Sequence, residues 1–267
     1  MSENNKHIGV FDSGLGGLTV LKALQKQLPG ESFIYFGDTG HLPYGNKSKE
    51  SVVAYSMKIL KFLYEKQIKA AVVACNTASA VALQALQSEY SIPILNVIDP
   101  SIHSAINYSK SQTIGVIGTE TTILSNTYQT KMKNINPNIK VVAQSCPLFV
   151  PIIEEGLMNK KFAHDIVQFY LKTFQDTEVD TLILGCTHYP LFKHIIKKNL
   201  HKHIKIIDSA KATAQQVSEC LEKKQLLLST KKNLKNQYYV SDKPHAFNHL
   251  ANVLLNLNNI QINHICL

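Results

Sequence analysis

The sequence contains no arginine: all 28 of its Lys+Arg positions are lysine. A bound carboxylate or phosphate therefore has no planar guanidinium to clamp it and must be held by backbone N–H groups, hydroxyls, amides or lysine. No apolar run approaches the length that spans a bilayer. The polar opening Met1-Ser2-Glu3-Asn4-Asn5-Lys6 runs into a short apolar stretch without a secretory core. The expected location is the cytoplasm, with no membrane partner. The cysteines Cys75, Cys146, Cys186, Cys220 and Cys266 are odd in number, and none is paired at metal-ligand spacing, which predicts free thiols in a reducing compartment. Despite a net charge of +9, the basic stretches Lys193–Lys205 and Lys223–Lys235 lack interleaved aromatics for base stacking. They read as solvated helix faces and turns, and no nucleic-acid partner is expected. No low-complexity linker interrupts the 267 residues, so the chain should form two halves packed together.

What the chain does contain, it contains twice. Val72-Val73-Ala74-Cys75-Asn76-Thr77-Ala78 has a second copy in Ile183-Leu184-Gly185-Cys186-Thr187-His188. Each is an apolar, β-branched run with a cysteine at its end, a threonine one or two residues on, and then a helical pattern. That pattern predicts a buried parallel strand delivering a thiol to its carboxyl end, with a helix N-terminus behind it. Ligands of open α/β sheets bind at those ends. Thr113-Ile114-Gly115-Val116-Ile117-Gly118-Thr119 likewise echoes His7-Ile8-Gly9-Val10-Phe11-Asp12-Ser13. Gly9 and Gly115 are 106 residues apart and Cys75 and Cys186 are 111 apart, so similar offsets point to an internally duplicated α/β unit.

Taken in order, Ile8–Phe11 is a strand that opens into Asp12-Ser13-Gly14-Leu15-Gly16-Gly17 before a helix from Leu18, stopped by Pro29-Gly30. Strand, glycine loop and helix make a candidate anion cradle. It is not the dinucleotide fingerprint, because Thr19 stands where the third glycine belongs. Asp12 would repel a pyrophosphate and suits a protonated amine or proton transfer. Further strands are expected at Phe33–Phe36, Ala70–Ala74, Pro93–Ile98, Thr113–Thr119, Lys140–Ala143, Val179–Leu184, Ile204–Ile207, Gln237–Val240 and Ile260–His264. Helices are expected at Ser48–Lys66, Thr77–Tyr90, after Thr119, at Phe162–Thr173, Leu191–Leu200, from an Asp208-Ser209 cap to about Lys224, and at Ala246–Leu255. Glu154-Glu155-Gly156, in a mixed segment, is a candidate border of the site.

A lone cysteine is usually a small buried apolar side chain, and Cys146, Cys220 and Cys266 are read that way. Two cysteines in mirror-related positions suit proton transfer at a carbon approached from both faces. One thiolate removes a proton, a thiol returns one from the other side, and the stereocentre inverts. Because both cysteines precede expected helix starts, the helix dipole should favour the thiolate. His188 beside Cys186, and Asp12 beside Cys75, are candidate proton relays or charged neighbours. Asn76, Thr77, Thr187 and Ser13 supply neutral hydrogen bonds for carboxylates. A hydrolase or transferase using one cysteine as nucleophile, and a non-catalytic binder of a small anion, remain open on these residues.

Four segments together resemble the cofactor-independent glutamate racemases of the aspartate/glutamate racemase group. They are Phe11-Asp12-Ser13-Gly14-Leu15-Gly16-Gly17-Leu18, Pro43-Tyr44-Gly45, Ala74-Cys75-Asn76-Thr77-Ala78 and Leu184-Gly185-Cys186-Thr187-His188-Tyr189-Pro190. The resemblance implies an α/β fold of two similar domains with mainly parallel sheets, related by a pseudo-twofold axis, with the site between them. It implies an N-terminal domain of residues 1–98 plus 208–267 and a second domain of residues 99–207. It makes Cys75 and Cys186 the acid/base pair, with Cys75 the base for D-glutamate and Cys186 for L-glutamate, and Asp12 and His188 their helpers. Asp12, Ser13, Tyr44, Gly45, Asn76, Thr77, Thr187 and His188, together with Thr119 and Thr122, are the implied glutamate-binding residues. No cofactor and no metal are implied; the product is D-glutamate for peptidoglycan. Many such racemases are homodimers, and no interface is legible here. Aspartate racemase is the nearest alternative within the same chemistry.

Overall fold

The structure, a computed structural model, describes residues 3–228, 234–242, 247, 251, 255 and 261–267. Strand β1 (Ile8–Asp12) leads through the glycine loop into α1 (Leu18–Gln27), followed by β2 (Phe33–Gly37) and α2 (Lys49–Glu65). Ser48 caps α2, its hydroxyl accepting the Ser51 N–H at 3.2 Å. β3 (Ala70–Val73), α3 (Asn76–Val81), α4 (Leu83–Glu89) and β4 (Ile94–Asn96) complete the first set. The helix expected over Thr77–Tyr90 is thus two, divided at Ala82.

The strand expected to continue to Ile98 stops at Asn96, and a helix not anticipated there, α5 (Ile98–Tyr108), begins at once. Asn96 starts it: its side-chain oxygen accepts the N–H groups of Ile98 at 2.9 Å and Asp99 at 3.0 Å. Pro100 falls in the first turn, where its missing N–H costs nothing. The second set follows as β5 (Thr113–Gly118), α6 (Glu120–Leu124), α7 (Thr127–Ile135), β6 (Lys140–Ser145), α8 (Phe149–Glu154), α9 (Lys161–Leu171), β7 (Thr181–Gly185), α10 (Lys193–Lys198) and β8 (Lys205–Asp208). α11 (Ser209–Lys223), β9 (Gln237–Val240) and β10 (Ile262–His264) end the described chain. Asp208 takes the capping position before α11, but its side chain makes no cap bond and binds Lys193 Nζ at 2.8 Å instead. Of the helix expected at Ala246–Leu255, Phe247, Ala251 and Leu255 are helical and buried; its other residues, and part of Lys223–Lys235, lie outside the described residues.

The strands form two parallel sheets, β10-β9-β2-β1-β3-β4 and β6-β5-β7-β8. Under the repeat, β2-β1-β3-β4 corresponds to β6-β5-β7-β8 in order. The register corresponds as well: Gly9 pairs with Ala71 as Gly115 pairs with Leu182. β1, β2, β3, β4, β5 and β7 are buried at every residue and so read as near-continuous apolar runs rather than alternating, whereas β6, β8 and β10 are only partly buried. Along β3 and the two residues after it, Ala70, Val72 and Ala74 face the core under α1 and α11, while Ala71, Val73 and Cys75 face the core under α2 to α4. Along β7 and the residue after it, Leu182, Leu184 and Cys186 share one core and Ile183 faces the other. The two cysteines therefore leave equivalent strands on equivalent phases of the pleat. α11 packs on α1 and α5, and β9 and β10 extend the first sheet, so the chain's last segment returns to the first set.

At the opposite end of the first sheet, Lys69 is buried with Nζ 2.6 Å from Glu31 Oε2. Its other donors reach the carbonyls of Asn4 at 2.9 Å and Leu226 at 2.8 Å. Among the described residues no helix is long and apolar enough to cross a membrane.

Candidate active site

Cys75 is the N-cap residue of α3. Its sulfur accepts the Ala78 N–H at 3.5 Å and donates to Ser13 Oγ at 3.7 Å. The helix start expected behind this thiol is present, but it does not govern the charge. Burial, reinforced by the negative charge of Asp12, pushes the thiol up to about 12 against the pull of the Ala78 N–H and the Ser13 hydroxyl. The expectation of a lowered Cys75 pKa is overturned because the residue is only 4% exposed.

Cys186 sits differently. No α-helix starts behind it; Tyr189–Phe192 is a single 3₁₀ turn with Pro190 near its start, and α10 begins only at Lys193. The neighbour of Cys186 Sγ is His188 Nδ1 at 3.8 Å, and His188 Nε2 meets Glu154 Oε1 at 2.5 Å. Burial opposes charge on His188, yet the hydrogen bonds to Cys186 and Glu154 and their negative charges hold its pKa well above the ordinary imidazole value. Glu154 ends α8, which places its carboxylate beside the cysteine turn.

Both thiols line one narrow cavity, together with Ser13, Pro43, Tyr44, Gly45, Asn76, Thr77, Thr119, Val150, Thr187 and His188. Of the residues expected from the sequence, Asp12 and Thr122 stand one layer behind this wall. Asp12 is fully buried; Oδ2 accepts the Gly14 N–H at 2.9 Å and Oδ1 accepts the Thr187 hydroxyl at 3.2 Å. The glycine loop therefore commits its Gly14 N–H to Asp12 and not to a ligand anion. Thr122 Oγ1 lies 2.9 Å from Thr119 Oγ1 and 3.1 Å from Thr77 Oγ1.

Several of these contacts join the two halves. Thr77 Oγ1 reaches Thr119 Oγ1 at 2.9 Å, Asn76 Nδ2 donates to Tyr128 Oη at 2.9 Å, and Thr121 Oγ1 donates to the carbonyls of Gly45 at 3.0 Å and Lys47 at 2.9 Å. Glycine permits the approach at Gly45, where a Cβ would lie 2.4 Å from Thr119 Cβ, and at Gly16, where it would lie 2.4 Å from Thr187 Oγ1. Tyr44 lines the cavity while its hydroxyl donates to Asp38 Oδ2 at 2.5 Å. Among the described residues Asn76 Oδ1 is buried without a hydrogen-bond partner, an acceptor in the wall suited to a ligand N–H. Hydroxyls and amides thus supply the polar lining. Among the described residues no group of three or more His, Cys, Asp and Glu side chains has the arrangement of a metal site.

Tyr128, Val150 and the pairing of Glu154 with His188 were not assigned from the sequence. Tyr128 and Val150 carry no local signal, because helices of the other half bring them in. The site can take a proton from one side of a small bound molecule and supply one from the other, since each sheet presents its sulfur to the same space.

Residues 8–217 match the family model described as Asp/Glu/Hydantoin racemase. A curated relative, the glutamate racemase of Geobacter metallireducens, is 49% identical over 250 residues, 94% of this chain and 93% of that one. Among solved structures, a glutamate racemase isoform from Bacillus anthracis superposes with a TM-score of 0.93 at 39% identity, covering 99% of this chain and 98% of that one. The Francisella tularensis glutamate racemase in complex with D-glutamate gives a TM-score of 0.92 at 38% identity, covering 98% of each chain.

Proposed function

This chain belongs to the Asp/Glu/hydantoin racemase family, and on that premise we propose that it interconverts L- and D-glutamate by proton transfer between Cα and the two thiols. The observation that carries the reading is the delivery of Cys75 and Cys186, from equivalent strand ends of two like sheets, to one cavity. A relative of 38% identity solved with D-glutamate supports the substrate.

In this mechanism a thiolate sulfur takes the Cα proton, and the electron pair left on carbon delocalises into the α-carboxylate as the centre flattens. The opposite S–H then donates its proton to the other face, so one proton leaves, one arrives, and the sulfurs exchange roles. Cys186 acts on L-glutamate and Cys75 on D-glutamate. Protonated His188, held by Glu154, offers its Nδ1–H to a Cys186 thiolate. Cys75, pushed up to about 12, rests as the thiol. Ser13, Tyr44, Gly45, Asn76, Thr77, Thr119, Thr187 and His188 contact glutamate, and Asp12 and Thr122 act from behind the wall. The reaction needs no pyridoxal phosphate and no metal, and it serves peptidoglycan synthesis in the cytoplasm.

The division into residues 1–98 plus 208–267 and residues 99–207 belongs to the same proposal. It is supported by α11 packing on α1 and by β9 and β10 joining the first sheet. Homodimerisation is proposed from the family alone.

The test is incubation of purified protein with L-glutamate in D₂O, without added cofactor. Loss of optical rotation with deuterium entering Cα is expected. Exchange with aspartate and not glutamate would move the substrate assignment, and no exchange with either would overturn the reading.

A further inference from the structure

Tyr35 is a fully buried residue of β2 that does not line the cavity, yet its hydroxyl reaches out of its own strand. It donates to the carbonyl oxygen of Gly14 at 2.7 Å. Gly14 in turn gives its N–H to Asp12 Oδ2 at 2.9 Å. Between these two residues lies Ser13, whose hydroxyl is 3.7 Å from Cys75 Sγ. One phenol therefore holds the peptide that carries both close neighbours of one thiol. On the far side, Asp12 Oδ1 accepts the Thr187 hydroxyl of the other half at 3.2 Å.

The surroundings are shaped around this contact. A Cβ on Gly17 would lie 2.4 Å from Asp12 Cβ and 2.8 Å from Tyr35 Oη, so the glycine leaves room for both groups at once. A Cβ on Gly37 would meet the Gly14 carbonyl at 3.0 Å. The Tyr35 ring packs in the core beneath α1 and α11, with the Phe247 ring 6.0 Å away. That packing fixes the hydroxyl on rigid sheet, whereas the loop it holds is turn. Tyr35 ionisation is suppressed first by burial and then by the charges of Asp12, Cys75 and Glu154, which keeps the group a donor throughout the working pH range.

We propose that Tyr35 is a positioning residue for the Cys75 half-reaction: its bond to Gly14 sets Asp12 and Ser13 against the Cys75 thiol. The inference rests on the reading that the two thiols each serve one hand of glutamate. Cys186 has its own support in His188 and Glu154, so loosening the Tyr35 contact should slow the step at Cys75 and leave the step at Cys186 unaltered.

Tyr35→Phe keeps the ring and removes only the hydroxyl. The equilibrium constant of racemisation is fixed, so kcat/KM must fall equally for both hands and cannot by itself show which sulfur is affected. Primary isotope effects with substrate deuterated at Cα can. A Cα deuteron on D-glutamate leaves at the Cys75 step, and one on L-glutamate leaves at the Cys186 step. The expected result is a roughly tenfold fall in kcat from misplacement of reacting groups, a KM within about twofold, a larger isotope effect with D-glutamate, and a smaller one with L-glutamate. Gly17→Ala presses on Asp12 and the Tyr35 hydroxyl from the other side and should give the same pattern, so the question stays decidable if either variant folds poorly. Replacement of Tyr35 by 3-fluorotyrosine, which restores a hydroxyl donor, should return both isotope effects to wild-type values. Unchanged activity, or a loss with the ratio of the two isotope effects unchanged, would mean that Tyr35 only supports the fold. Failure of the wild-type protein to exchange Cα hydrogen at all would instead remove the racemase reading, a distinct outcome.

Discussion

Glu154 Oε1 stands 2.5 Å from His188 Nε2, on the side of the ring away from Cys186. Removing that carboxylate by Glu154→Gln leaves burial to act on the imidazole with less opposition, so His188 should lose its proton at lower pH than in wild type. A ring ¹⁵N titration checks this directly. The linkage has a definite sign. A raised folded-state pKa gives stabilisation that is complete below the unfolded-state value of about 6.5 and is lost as pH rises through the folded value. The gap in melting temperature between wild type and Glu154→Gln should therefore be widest near pH 6 and close as the pH is raised. A gap that widens with pH would contradict the assignment of charge to His188.

Cys75→Ser and Cys186→Ser should each lower racemisation by at least about a hundredfold, the scale of one lost acid–base group. Each variant keeps one sulfur and should still eliminate chloride from a substrate carrying it at Cβ: the remaining thiolate takes the Cα proton and chloride leaves with its electron pair. Cys186→Ser should act on the D form and Cys75→Ser on the L form. Full racemase activity in both variants would end the two-thiol mechanism.

Gly16→Ala tests the approach of the two halves. The added methyl would lie 2.4 Å from Thr187 Oγ1 and 2.6 Å from His188 Nδ1. Displacing these side chains should cost roughly ten- to a hundredfold in kcat/KM, while the melting temperature moves by only a few degrees. Steady-state kinetics beside a thermal melt decide it, and wild-type kinetics would show that the cysteine turn yields freely.

Lys69→Met addresses stability alone. The change leaves Glu31 buried without its partner and strands the carbonyls of Asn4 and Leu226. A loss of about 3–5 kcal/mol is expected from breaking a buried ion pair on one side, measured by urea denaturation. Because Lys69 precedes β3 and Cys75 follows it, kcat should be unchanged at temperatures where the variant is folded.

The duplicated strands were legible because their signal is local: a short β-branched run bounded by turn residues reads as a buried strand whichever half it belongs to. Ten of the twelve expected site residues line the cavity, since motif and strand end coincide. Asp12 is placed at the ligand by its charge and by the resemblance, and Thr122 by the resemblance alone, but the first is held by Gly14 and Thr187 and the second by two other threonines. Sequence could not show that Cys75 is too buried for a helix start to set its charge. α5 was missed because Asp99-Pro100 resembles a stop, whereas Asn96 folds its side chain over the next N–H groups and starts a helix there. Tyr128 and Tyr35 enter through long-range contacts that no spacing records.

The matching order of the two sheets has a consequence for such a catalyst. A pair of identical subunits sharing a site on their axis would present two equal sulfurs to either mirror image. In one chain the two halves need not match in detail, and here one sulfur lies 3.8 Å from a histidine ring nitrogen while the other is closed in with Asp12 as its charged neighbour. Mirror images have equal free energy in water, so this inequality cannot bias the final mixture. On the proposed mechanism, what it sets is the company each hand keeps: the sulfur serving one hand lies beside His188, and the sulfur serving the other lies beside Ser13.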